Sequence, residues 1–140
     1  MFNPSRDQVR QFFFETWRKY RAGEPLTPLE RMGVQVVLEH AEYQPVLDAP
    51  EKYREQEYFP EMGQTNPFLH LSLHLSILEQ LSIDQPPGIK AEFARLAAKF
   101  GDRHAACHAV LECLGETLWR SQRDGAAPDA PAYLECLKRR

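Results

Sequence analysis

The sequence predicts an all-α fold: a single-domain helical bundle of four to six helices, with a long connection between the second and third main helices. Three observations lead there. A capping residue followed by proline recurs at Asn3-Pro4, Thr27-Pro28 and Asn66-Pro67. In each pair the polar side chain accepts a hydrogen bond from an early backbone N–H, and proline takes the first helical position, where its missing donor costs little. Apolar residues then recur at helical spacing in the segments that follow. Finally, 140 residues of which 43% are hydrophobic and 26% charged suit one domain with one substantial core.

Taken in order, residues 1–23 hold a first helix from Pro4 to Arg21 that stops near Gly23 and offers Phe13, Trp17 and Tyr20 as its buried face. Residues 27–43 hold a second, with Leu29, Met32, Val36 and His40 on one stripe. Residues 44–65 carry three prolines and many charges without a sustained period, so they read as a connection with a short helix around Glu51 to Glu57. Long connections of this kind often cover a site. Residues 66–84 form a third helix, apolar nearly all round apart from Ser72, Ser76, Glu79 and Gln80, which marks it as the central one. Residues 88–100 form a fourth, amphipathic through Phe93, Leu96, Ala97 and Phe100. Gly101-Asp102 then supplies a stop and a new cap for a fifth helix over 102–123. A short terminal helix over 131–140 lays down Tyr133, Leu134 and Leu137.

Charge and composition exclude several functions. The net charge is −3, and basic residues alternate with acidic ones except at Lys138, Arg139 and Arg140, so no nucleic-acid partner is expected. No segment approaches the roughly 18 apolar residues of a membrane span, and the first residues lack the marks of a secretory signal. The expected setting is cytoplasmic, with no membrane partner; a homo-oligomer is left open and the protein partner unknown. Three cysteines, Cys107, Cys113 and Cys136, are odd in number and lack CxxC spacing, so reduced thiols are expected rather than a disulfide framework or a zinc finger.

The chemistry lies in the histidines. His70 and His74 form one His-x3-His pair, and His104 and His108 form another on a different helix, while His40 ends the second helix's stripe. Residues four apart sit nearly in line on a helix, so each pair projects two imidazoles from one face. On the third helix His70 and His74 fall opposite Ser72 and point inward with Leu73, Ile77 and Leu81. On the fifth, His104, His108 and Leu111 share a stripe with Leu118, and Glu112 extends the ladder to His-x3-His-x3-Glu. Buried imidazoles need partners for their nitrogens, and a divalent metal satisfies several at once. Zinc or iron suits histidines with a carboxylate. The candidate ligands are therefore His70, His74, His104 and His108, assisted by Glu112 or His40, on one buried site, with Glu39 beside it or at the surface.

Each has a plainer alternative. An isolated inward histidine such as His40 is commonly a satisfied core residue, Cys107 a packed thiol, and the pairs a hydrogen-bonded seam. Two further functions follow from these alternatives. One is a metal-free protein-interaction module whose seam loosens when protonated near the usual histidine pKa of about 6.5. The weaker is thiol catalysis by Cys107 with His104 or His108, which lacks an evident substrate opening. If the metal keeps an open position, it can activate water under a lid formed by residues 44–65; a closed shell makes it structural. Catalytic residues are not assigned.

The run NPFLHLSLHLSILEQLSIDQPPGI, with GDRHAACHAVLECLGETLWRSQRD downstream, resembles an uncharacterised family of small proteobacterial proteins. The likeness covers most of the chain and implies a bacterial, helical, free-standing protein, with no activity or residue role attached. A looser likeness, to hemerythrin-type bundles, rests on His108-x3-Glu112 and His70-x3-His74, with His40 standing for an isolated ligand. It implies a diiron site, although the order of ligands along the chain departs from that family and a bridging aspartate is missing. The Glu-x2-His motif of ferritin-like sites and the H-E-x-x-H of metalloproteases are absent.

Overall fold

Local capping starts most of the helices. In the computed structural model, which describes residues 5–140, Ser5 and Thr27 each head a capping box: the hydroxyl accepts from the backbone N–H three residues on, and Gln8 or Glu30 reaches back to the cap's own N–H. The Oδ1 of Asn66 accepts from the N–H groups of Phe68 and Leu69, Asp102 accepts from those of His104 and Ala105, and Asp129 from that of Ala132. The expected Asn3-Pro4 cap lies outside the described residues, and the first helix begins instead behind Ser5.

The resulting elements are α1 (Arg6–Ala22), α2 (Pro28–Leu38), α3 (Gln44–Leu47), α4 (Pro50–Tyr53), α5 (Pro67–Ile83), α6 (Ile89–Phe100), α7 (Arg103–Asp124) and α8 (Ala130–Lys138), with short 3-10 turns at Ala41–Tyr43 and Pro60–Met62. Among the described residues there are eight α-helices and no strand, so the fold is all-α. None of the helices is long and apolar enough to cross a membrane. The chain divides into two compact units, Met1–Leu75 and Ser76–Arg140, with the division falling inside α5.

In the first unit, Phe13, Phe14 and Trp17 of α1 are buried, as are Val34, Val36 and Val37 of α2, Leu47, and Phe68, Leu71 and Leu75 of α5. Gly33 lets α1 and α2 approach closely, since a Cβ there would stand 3.2 Å from the Phe12 ring. Two polar anchors fix the connection between α2 and α5. Trp17 Nε1 donates to Asp48 Oδ1 at 2.8 Å, and the buried Arg10 guanidinium donates to the carbonyls of Tyr53 (3.1 Å) and Arg54 (2.9 Å) at the end of α4. Arg10 also lies over the Phe68 ring at 4.6 Å, and burial pulls its pKa below the ordinary arginine value. The connection therefore carries two short helices held by these bonds; α4 overlaps the start of the helix expected around Glu51 to Glu57 and ends at Tyr53, and α3 precedes it.

In the second unit, Ile77 of α5, Ile89, Phe93 and Leu96 of α6, Ala106, Ala109, Val110, Cys113 and Leu114 of α7, and Tyr133 and Leu137 of α8 are buried. Gly101 takes the left-handed conformation (φ 67°) that stops α6, and Asp102 starts α7 directly after it. Arg95 caps α8 by donating to the Leu137 carbonyl at 2.8 Å, and Tyr133 donates its hydroxyl to Gln80 Oε1 at 2.7 Å.

Three sequence expectations need correction. The second helix does not reach Tyr43: it ends at Leu38, and His40, with φ −128° and ψ 65°, sits in a joint before the next turn. The buried stripe of α7 runs through Ala106, Ala109, Val110, Cys113, Leu114 and Thr117, whereas Phe100 and Tyr20 stand exposed. Small residues won over the larger ones here, because they admit a neighbouring helix at short range. And the cysteines are not all reduced: Cys113 and Cys136 form a disulfide between α7 and α8, with Cα atoms 5.9 Å apart. An odd cysteine count hid that pair, which depends on where α8 packs.

Candidate metal centre

Three histidines meet in the first unit. His70 and His74 stand one turn apart on α5, and His40 reaches them from the joint that follows α2, so the nitrogen atoms the three offer all lie within 4.8 Å of one another. The ring centroids are 4.5 Å apart for His40 and His74, 5.0 Å for His40 and His70, and 4.7 Å for His70 and His74. His40 and His74 are buried, at 3% and 2% exposed, and His70 is half-buried.

Breaking α2 at Leu38 is what aims His40. Its Nδ1 lies 2.7 Å from the Val36 carbonyl, which can only accept, so Nδ1 carries the proton and one orphan carbonyl of the helix end is satisfied. That bond fixes the tautomer and leaves Nε2 as the lone-pair nitrogen. Nε2 is buried and has no hydrogen-bond partner among the described residues. A ligating histidine is ordinarily held this way, with its other nitrogen bonded to a carbonyl or carboxylate.

His70 Nε2 and His74 Nε2 lie 3.1 Å apart, so one ring donates to the other in the absence of an ion. Two imidazole nitrogens on one tetrahedral zinc, each bound at about 2.0–2.1 Å, stand about 3.4 Å apart. The pair already has nearly that separation, and a nitrogen of His40 lies within 4.8 Å of both.

Tyr43, which was not among the candidate residues, forms a wall beside the trio. Its ring stacks on His40 at 5.8 Å, nearly parallel at 5°, and meets His70 edge-on at 5.9 Å. Burial, then the nearby Glu42, raises the phenol's pKa. The three-residue spacing from His40 to Tyr43 across one tight turn is the signal that finds it afterwards.

The second His-x3-His pair lies in the other unit. His104 and His108 on α7 bring their ring centroids within 4.3 Å, but His104 is exposed and His108 half-buried. Glu112, the next rung, has a side chain 60% exposed, and its Oε2 pairs with Arg140 at 2.7 Å. Glu39 is exposed. Cys107 lies outside the disulfide and is half-buried.

Residues 5–139 match a family described as Domain of unknown function (DUF1841). No curated protein and no solved structure matches the chain.

Proposed function

The chain belongs to the DUF1841 family, and from that premise we propose that it is a metal-binding helical protein that holds zinc or nonhaem iron through His40, His70 and His74. The observation that carries this reading is the buried Nε2 of His40, which has no hydrogen-bond partner among the described residues, in a ring held through Nδ1 by the Val36 carbonyl and neighboured by two more imidazoles. A buried nitrogen lone pair without a partner is costly, and a divalent ion can take it up together with the imidazoles beside it. His104, His108 and Glu112 enter the proposal on their spacing alone.

Among metals, neutral imidazoles suit zinc and iron, and three of them without a thiolate leave the ion's charge undiminished. A centre of this kind lowers the pKa of bound water, so hydrolytic or small-anion chemistry is open to it.

The test is metal content of the purified, untagged protein, followed by titration of the metal-free protein with zinc and with ferrous iron. About one equivalent in the wild type, lost in His40→Ala and in His74→Ala with the helical signal retained, is the expected result. A second reading has its own observation, the bond between His70 and His74, which closes without an ion. In that metal-free interaction module, unfolding ignores chelators and neither ion binds.

A further inference from the structure

We propose that the Cys113–Cys136 disulfide is a reversible thiol-exchange site, attacked at Cys136 by a small thiol that carries both carboxylate and ammonium groups. The two sulfurs have unequal surroundings. Cys113 is 0% exposed in the α6–α8 core, whereas Cys136 is half-buried and lines a cavity of about 710 Å³ formed by the second half of α7, the following loop and α8. That volume lies in the range of small-molecule sites. An attacking thiolate therefore has a path to one sulfur of the two.

The lining of the cavity selects the attacker. Four arginines, among them Arg120, Arg139 and Arg140, stand around it with four carboxylates, among them Glu116 and Glu135. The arginines are each paired: Arg120 with Glu116 at 2.6 Å, Arg123 with Asp124 at 2.9 Å, Arg139 with Glu135 at 3.7 Å, and Arg140 with Glu112, outside the lining, at 2.7 Å. Exposed pairs of this kind are worth little individually, so their members exchange partners readily. A zwitterionic ligand can take carboxylate contacts from the guanidiniums and ammonium contacts from the acids, where a neutral ligand gains neither.

The step balances without any further oxidant. The attacking thiolate forms a bond to Cys136 Sγ, the Sγ–Sγ bond to Cys113 breaks, and Cys113 leaves with the electron pair. Burial disfavours a thiolate there, so Cys113 takes up the proton that the attacking thiol gave to solvent. A second molecule of the same thiol can then attack the mixed disulfide, which releases Cys136 and yields the oxidised small-molecule dimer. Cys107 need not take part.

Reduced glutathione and 2-mercaptoethanol serve as probes, applied separately to the oxidised full-length protein, with acid quenching, alkylation and peptide mapping. The first product expected is a mixed disulfide on Cys136 with Cys113 trapped as a free thiol. The glutathione to mercaptoethanol rate ratio, corrected for thiolate fraction, is expected to be several-fold higher for the folded protein than for the same chain in denaturant. That excess is expected to shrink in Arg139→Gln. An adduct appearing first on Cys113 or Cys107, or an equal ratio in the folded and denatured chains, would overturn the proposal, as would a chain that keeps three thiols under mild oxidation.

Discussion

Two His-x3-His pairs occupy two helices of this protein, alike in spacing and different in burial and in what stands beside them. On α5 the pair is buried or half-buried, its Nε2 atoms lie 3.1 Å apart, and a third imidazole arrives from another element with its tautomer already fixed. On α7 the rings are as close, at 4.3 Å, yet one is exposed and the glutamate that extends the ladder is engaged by Arg140. Identical spacing thus brings two imidazoles together in both places, and among the described residues a third, carbonyl-held imidazole stands beside the α5 pair. What makes a centre is the third ligand and the group that orients it.

The largest expected effect tests that distinction directly. His74→Ala should lower zinc affinity by more than the 10- to 100-fold that changes behind a ligand typically cost, because a ligand itself is lost. Competition with a chromophoric chelator would measure it. His104→Ala should cost less than tenfold. Equal losses from the two would make the α7 imidazoles ligands of the same standing and break the comparison.

Next in size is the bridge of the second unit. Cys113 and Cys136 are 23 residues apart in sequence, and closing a loop of that length restricts the unfolded chain by about 3 kcal/mol. Urea unfolding of Cys136→Ser under oxidising conditions should show a loss of that order, and zinc uptake at the trio should be unaltered. A loss of zinc affinity in that variant would contradict the assignment of the site to residues of the first unit.

Much of this was legible beforehand, and the misses have physical causes. Thr27-Pro28, Asn66-Pro67 and Gly101-Asp102 mark their helix boundaries because capping and left-handed stops are local chemistry, settled within a few residues. His70 and His74 were legible as an inward pair, but they were grouped with His104 and His108, and His40 was only an addition; it reaches the α5 pair through a broken helix rather than a continued one. That break depends on the bond from the His40 ring to Val36, which no periodicity expresses. The face of α7 was misjudged because Leu111 and Leu118 weigh more than Ala106 and Ala109 on any hydrophobic count, while close helix packing rewards the alanines. Arg10, one of the most buried side chains, was missed for a related reason: its partners are backbone carbonyls of Tyr53 and Arg54, more than forty positions away.

The third prediction sharpens the comparison from the side of the ion. A protein that binds metal in the folded state alone is stabilised by the ion, by about 2.7 kcal/mol when free metal stands at a hundred times its dissociation constant. Thermal unfolding should therefore rise with added zinc in the wild type and in His104→Ala, and be insensitive to it in His40→Ala. Insensitivity in the wild type would favour the hydrogen-bonded cluster.

The smallest effect separates two helix starts within the first unit. Ser5 and Thr27 head capping boxes of one geometry, closed by the amide of Gln8 in one and the carboxylate of Glu30 in the other. The Thr27 N–H donates to Glu30 Oε1 at 2.8 Å and, with Lys19 at 3.1 Å, holds that carboxyl below its usual pKa despite partial burial. A depressed carboxyl contributes stability that is present above the ordinary carboxylate range and lost as pH falls through the folded-state value. Glu30→Gln should therefore cost up to about 1 kcal/mol near neutral pH, the scale of a helix cap, and progressively less on acidification. Gln8→Glu should gain a pH dependence where the wild-type box has none, with more stability at neutral pH than in acid. Urea midpoints measured for both variants between neutral and acidic pH would check this, and a Glu30→Gln cost that does not change with pH would show that the charge plays no part in the cap.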